Sequence, residues 1–192
     1  LIAGFCACCA SAGARAAEAE ATLTWLRDGV VATRTLPAAS SAAHSSPIGS
    51  LWKLYVYAYL AETDAREAPY QCTAAAEISE QQEYCCKAGE SVGRDQALAR
   101  SCGAYFEPER LAISGGAWRS FWQQRMPQIP WLQELSALQP QTQVSVASLL
   151  NTLQTFPPLA RQAARQALAE VTLSGYGRGA LAALGSGPRL KT

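Results

Sequence analysis

Residues 50–61 read Ser-Leu-Trp-Lys-Leu-Tyr-Val-Tyr-Ala-Tyr-Leu-Ala, and no other stretch restricts the fold as tightly. Lys53 is its single charge. On a helix the run is apolar on nearly every face, so it has no side to turn to water and must lie in the middle of a domain. A strand is the competing assignment for so aromatic a run. The rest of the chain has to surround it. With 192 residues, 49% hydrophobic and 16% charged, the chain can bury one sizeable core and is globular, so one domain is expected.

The flanking pattern supplies more elements. Residues 21–37 alternate around Asp28-Gly29, a strong hairpin signal. An Ala/Ser linker and Pro47-Ile48-Gly49 lead into the apolar run. Residues 62–90 are polar and hold three cysteines, which reads as a disulfide-pinned excursion. Residues 91–102 look helical, with Ser91 as cap and Gly103 as stop. Trp118, Phe121, Trp122 and Arg125 fall at helical spacing after Gly115-Gly116. Two more helical stretches, 144–154 and 158–173, are separated by Pro157-Pro158, and Leu190-Lys191-Thr192 begins a strand after a Gly-rich segment.

Several function classes are disfavoured. A net charge of +1 with scattered basic residues gives no electrostatic footprint for nucleic acid. The single histidine, His44, argues against a His-based triad or a multi-His metal site, so neither metal nor cofactor is expected. Residues 1–14 are apolar, small and too short to span a bilayer. Ala14-Arg15-Ala16 and the acidic Glu18 and Glu20 follow, so residues 1–16 read as a truncated secretory signal peptide and 17–192 as the domain. A periplasmic or secreted bacterial protein is the expectation. Membrane association would come only from that signal or from a lipidated Cys6, Cys8 or Cys9, none of which has a tidy lipobox. Export puts Cys72, Cys85, Cys86 and Cys102 in an oxidising compartment, where Cys72 is expected to pair with Cys85 or Cys86. Zinc is the rival use, without the CxxC spacing that supports it.

Chemistry concentrates at Ser50-Leu51-Trp52-Lys53. Helix positions three apart share a face, so hydroxyl and amine approach each other. An amine in apolar surroundings has its charged form disfavoured and can take a proton from the serine, arming it as a nucleophile. The helix N-terminus favours negative charge developing there. A lysine snorkelling from an amphipathic helix is the plain alternative, but this helix lacks a polar face.

Three segments together carry a family resemblance. Pro47-Ile48-Gly49-Ser50-Leu51-Trp52-Lys53 resembles the nucleophile helix of penicillin-binding proteins and serine β-lactamases. Ser101-Cys102-Gly103 resembles their second motif, with Gly103 where the family has asparagine. Lys191-Thr192 resembles the start of the third. The resemblance also extends to secreted bacterial proteins of unknown function related to that superfamily. It implies an α+β transpeptidase-like fold, a helical cluster on an antiparallel sheet whose C-terminal strands are missing from this chain. It implies catalysis by Ser50, Lys53 and Ser101, the backbone N–H of Ser50 as an oxyanion donor, and substrate binding by Gly103, Lys191 and Thr192. The implied function is a secreted serine acyl-transfer domain, a D-Ala-D-Ala-type peptidase, transpeptidase or β-lactam-reactive protein, with a peptidoglycan stem peptide or β-lactam as partner. A catalytically degenerate member that binds a periplasmic peptide or protein is the alternative, favoured by Gly103.

Overall fold

The computed structural model describes residues 21–27, 30–36, 45–73 and 85–170. The apolar run forms a helix as its pattern predicts. A short 3-10 turn, Gly49–Leu51, passes into α1, Trp52–Glu62. Leu54, Tyr55, Val56, Tyr57, Ala58 and Leu60 are all buried, so α1 has no solvent face.

Its three tyrosines explain how one helix is covered on all sides. Tyr55 and Tyr59, four apart, share a face. Tyr55 packs edge-on against Trp122 at 6.0 Å and Trp131 at 5.5 Å, and Tyr59 meets Trp118 at 5.4 Å and Phe121 at 5.1 Å. Tyr57 points the other way, to Phe106 at 6.5 Å. Edge-to-face aromatic contacts of this kind contribute about 0.5–1.5 kcal/mol each beyond their buried area.

The partners come from helices. After α1 follow α2 (Arg94–Ala99), α3 (Gly103–Phe106), α4 (Gly115–Arg125), α5 (Pro130–Gln133), α6 (Val146–Gln154) and α7 (Pro158–Ala167). Ser114 caps α4 and Ser145 caps α6, each accepting from an amide three residues on. Pro158 opens α7 at a position where its missing N–H has no role. The nearly buried Glu62, at the end of α1, accepts from Ala160 N at 2.9 Å and so caps α7 from another helix.

Strands among the described residues pair two by two. β1 (Ala21–Arg27) and β2 (Val30–Leu36) form the expected hairpin, with Arg27 opposite Val30; Asp28 and Gly29 themselves lie outside the described residues. β3 (Ser45–Pro47) pairs with β6 (Gln143–Ser145), and β4 (Tyr70–Gln71) with β5 (Ser91–Val92).

This corrects the expected fold class. No helical cluster packs on one large antiparallel sheet; the described chain is mostly helical, with three separate two-stranded pairs. The physical reason lies in α1. The aromatic partners of its tyrosines sit on or between helices, so the layer that a sheet would fill is already occupied. Residues 91–102 also differ from expectation: 91 and 92 are a strand, and the helix ends at Ala99, not at Gly103.

Candidate functional site

Ser50 stands in the turn that starts α1. That turn is held from far along the chain: Ile48 N donates to Thr142 O at 3.0 Å and Gly49 N to Pro140 O at 2.9 Å, continuing the β3–β6 pairing. Gly49 has φ +50, a left-handed conformation that suits glycine and turns the strand sharply into the helix. Lys53 follows one turn later.

The third group arrives at the end of α2. Tyr57 of α1 donates to Asp95 Oδ1 at 2.8 Å, docking the first turn of α2 on the central helix, and Ala97 and Leu98 are buried. Beyond Ala99 the chain makes a Schellman closure: Ser101 N donates to Leu98 O at 3.2 Å and Cys102 N to Ala97 O at 2.8 Å. Ser101 occupies the left-handed position of that motif, at φ +57, where glycine is usual. A side chain there costs roughly 1–2 kcal/mol, and such strained residues gather at functional sites.

The result is a closed triangle of half-buried groups. Lys53 Nζ lies 3.5 Å from Ser50 Oγ and 3.0 Å from Ser101 Oγ, and the two hydroxyl oxygens are 3.3 Å apart. Lys53 Nζ also donates to the Ser101 carbonyl at 2.7 Å. A charged ammonium has three protons, and three oxygens receive them here. A neutral amine keeps two N–H bonds and presents a lone pair. With one N–H on the carbonyl, that lone pair can face a serine hydroxyl and accept its proton. Burial lowers the Lys53 pKa from 10.5, favouring this neutral form. The indole of Trp52 lies 5.8 Å from Nζ.

A cleft of about 480 Å³ is lined by Trp52 and Pro140 together with Leu138, Glu107, Glu134 and Arg119; Ser50, Lys53 and Ser101 are not among its lining residues. Gly103, expected to bind substrate, is buried at the start of α3. Lys191 and Thr192, and also His44, Cys6, Cys8 and Cys9, lie outside the described residues. Among the described residues, no three His, Cys, Asp or Glu side chains gather as metal ligands do, and no helix is long and apolar enough to cross a membrane.

Two disulfides cross-link the described chain, one of them adjoining Ser101. Cys72 pairs with Cys86, one of the two expected partners, and Cys85 pairs with Cys102, the residue after Ser101. Sequence reasoning missed the second bridge, the left-handed Ser101 and the carbonyls of Pro140 and Thr142. Only the adjacency of Ser101 and Cys102 carried a signal for any of them.

Comparison with known proteins assigns the family and overturns the resemblance. Residues 77–191 match the family described as "Predicted secreted protein (DUF2300)", and the chain belongs to that family. Over 149 residues it is 49% identical to the uncharacterized protein YfaQ of Escherichia coli strain K12; the match covers 77% of this chain and 26% of that protein, so the chain spans about a quarter of its relative. No solved structure matches. These findings correct the assignment to the penicillin-binding protein and serine β-lactamase superfamily, for which neither family nor structural neighbour speaks. The motif likeness misled because Ser and Lys three apart describe one helix turn, a local geometry that does not carry a fold. The family is one of secreted proteins, in agreement with the periplasmic or secreted location expected from residues 1–16.

Proposed function

We propose that this exported member of the DUF2300 family is a serine acyl-transfer domain, with Ser50 as nucleophile, Lys53 as base and Ser101 as proton relay. The observation that carries the reading is the closed triangle of Ser50 Oγ, Ser101 Oγ and Lys53 Nζ, with every side at 3.5 Å or less. Separations near the upper limit of hydrogen bonding are common before substrate binds.

The steps balance as follows. Neutral Lys53 takes the Ser50 proton, directly or through the Ser101 hydroxyl, as Ser50 Oγ bonds to the carbonyl carbon of an amide or ester. The Ser50 N–H, in the first turn of its helix, has no acceptor four residues back, and the helix dipole favours the oxyanion forming beside it. The bond to the leaving nitrogen or oxygen breaks, and that atom receives the proton from Lys53 through Ser101. Water or an amine then attacks the Ser50 ester, gives its proton to Lys53, and releases Ser50 with its proton restored. Peptidoglycan stem peptides are the natural donors to test first, given the location, and a β-lactam, a strained amide, is the convenient reagent.

The test is covalent labelling of the folded protein with a fluorescent penicillin and, separately, a fluorophosphonate, followed by intact mass and peptide mapping. The expected outcome is one adduct, on Ser50, absent in Ser50→Ala and slowed about 10²-fold or more in Lys53→Met. A folded wild-type protein that takes neither reagent overturns the proposal.

A further inference from the structure

We propose that the Cys85–Cys102 disulfide is a positioning element of the Ser50–Lys53–Ser101 site: it holds the Ser101 turn in its left-handed form, so that the carbonyl and hydroxyl of Ser101 stay on the Lys53 amine. The activity arm of this inference rests on the acyl-transfer reading; the structural arm does not.

The argument begins with the turn. A Schellman closure with glycine at the left-handed position holds itself together, and an apolar contact between the residue after that glycine and the last helical turn usually supports it. Here the left-handed residue is Ser101, which the backbone conformation disfavours, and the next residue is Cys102. Cys102 is fully buried and bonded to Cys85, itself buried. The covalent tie therefore stands where an apolar contact normally would, beside the one residue of the closure that would gain by relaxing.

The tie has a firm footing. Cys86, adjacent to Cys85, is bonded to Cys72, whose N–H donates to Glu90 O at 2.9 Å and whose carbonyl accepts from Gly89 N at 3.0 Å. The β4–β5 pair continues from there. Cutting Cys85–Cys102 leaves the Ser101 turn with its two backbone bonds and its contacts to Lys53 and Ser50. Cutting Cys72–Cys86 removes a loop of similar size, 14 residues against 17, without touching the turn. The second cut is thus the control for general loss of stability.

The experiment compares Cys85→Ser/Cys102→Ser with Cys72→Ser/Cys86→Ser in the whole chain labelled with 13C at lysine Cε. The chain has three lysines, Lys53, Lys87 and Lys191, so Lys53→Arg assigns the signal. The expected result is a Lys53 resonance that moves to the position of a hydrated lysine in the first pair and moves distinctly less in the second, which loosens the footing but keeps the bond to the turn. The rate constant for Ser50 labelling should fall about 10²-fold in the first pair, the size of a misplaced proton-transfer group, and change little in the second. Adding Ser101→Gly to the first pair removes the reason for the turn to relax, and the Lys53 resonance should return toward its wild-type position. That triple variant also keeps the test alive if the first pair folds poorly. A Lys53 resonance unmoved by loss of Cys85–Cys102, or moved equally by loss of Cys72–Cys86, overturns the inference. A wild-type protein that takes no acyl reagent sinks the acyl-transfer reading alone, because the resonance still reports on the turn.

Discussion

Replacing Ser101 by alanine and, separately, by glycine distinguishes what its side chain contributes from what its backbone tolerates. Both variants lose the hydroxyl that lies 3.0 Å from Lys53 Nζ and 3.3 Å from Ser50 Oγ, so that loss cancels in the comparison. What remains is the Cβ at φ +57. A Cβ in that region costs roughly 1–2 kcal/mol. Against this, glycine adds freedom to the unfolded chain, worth about 0.5–1 kcal/mol. Ser101→Gly should therefore be more stable than Ser101→Ala by about 0.5–1 kcal/mol, a melting difference of about 1–4 °C for a chain of this length. Thermal and urea unfolding followed by circular dichroism, with disulfides intact, reads the difference. Both variants should label slowly at Ser50, because neither restores the relay. An alanine variant as stable as the glycine one would refute the left-handed turn, and with it the account of how the Ser101 carbonyl reaches Lys53.

Two further outcomes follow from the geometry. Burial holds the Lys53 pKa below 10.5, so Ser50 labelling should climb with pH along a limb centred below that value, and Lys53→Met should flatten it. The sign for stability agrees: the charged amine is disfavoured in the fold, so wild type gains relative to Lys53→Met as pH rises from the folded-state pKa toward 10.5, measured by urea unfolding across that range. Glu62→Ala leaves Ala160 N without its acceptor and should cost about 1–2 kcal/mol, whereas Glu62→Gln keeps an acceptor oxygen and should cost less in the same assay.

The central helix was legible because an apolar run with one charge has few places to go, and the hairpin because Asp28-Gly29 sits between β-rich runs. Helix α4 was legible from its aromatic spacing. The fold class was not, because it was inferred from motif order, and a Ser-Lys pair on one helix turn is compatible with many architectures. Ser50 and Lys53 could be paired from spacing alone. Ser101 was named from motif likeness, while its meeting with Lys53 depends on a helix that stops at Ala99, about one turn earlier than a stop at Gly103 would place it. That stop coincides with Ser101 in the left-handed region and with the Cys85–Cys102 bridge, neither of which leaves a periodic trace in the sequence. The carbonyls of Pro140 and Thr142 are equally silent, since any residue supplies a carbonyl.

Those two carbonyls have a consequence for a chain that leaves the cytoplasm. The turn presenting Ser50 is closed by bonds from residues 48 and 49 to residues 142 and 140. A polypeptide threaded outward from its N-terminus delivers the serine long before the strand that shapes its turn. The turn is therefore shaped only once residues 140–145 are available to pair with it, so the Ser50–Lys53–Ser101 triangle closes no earlier than that.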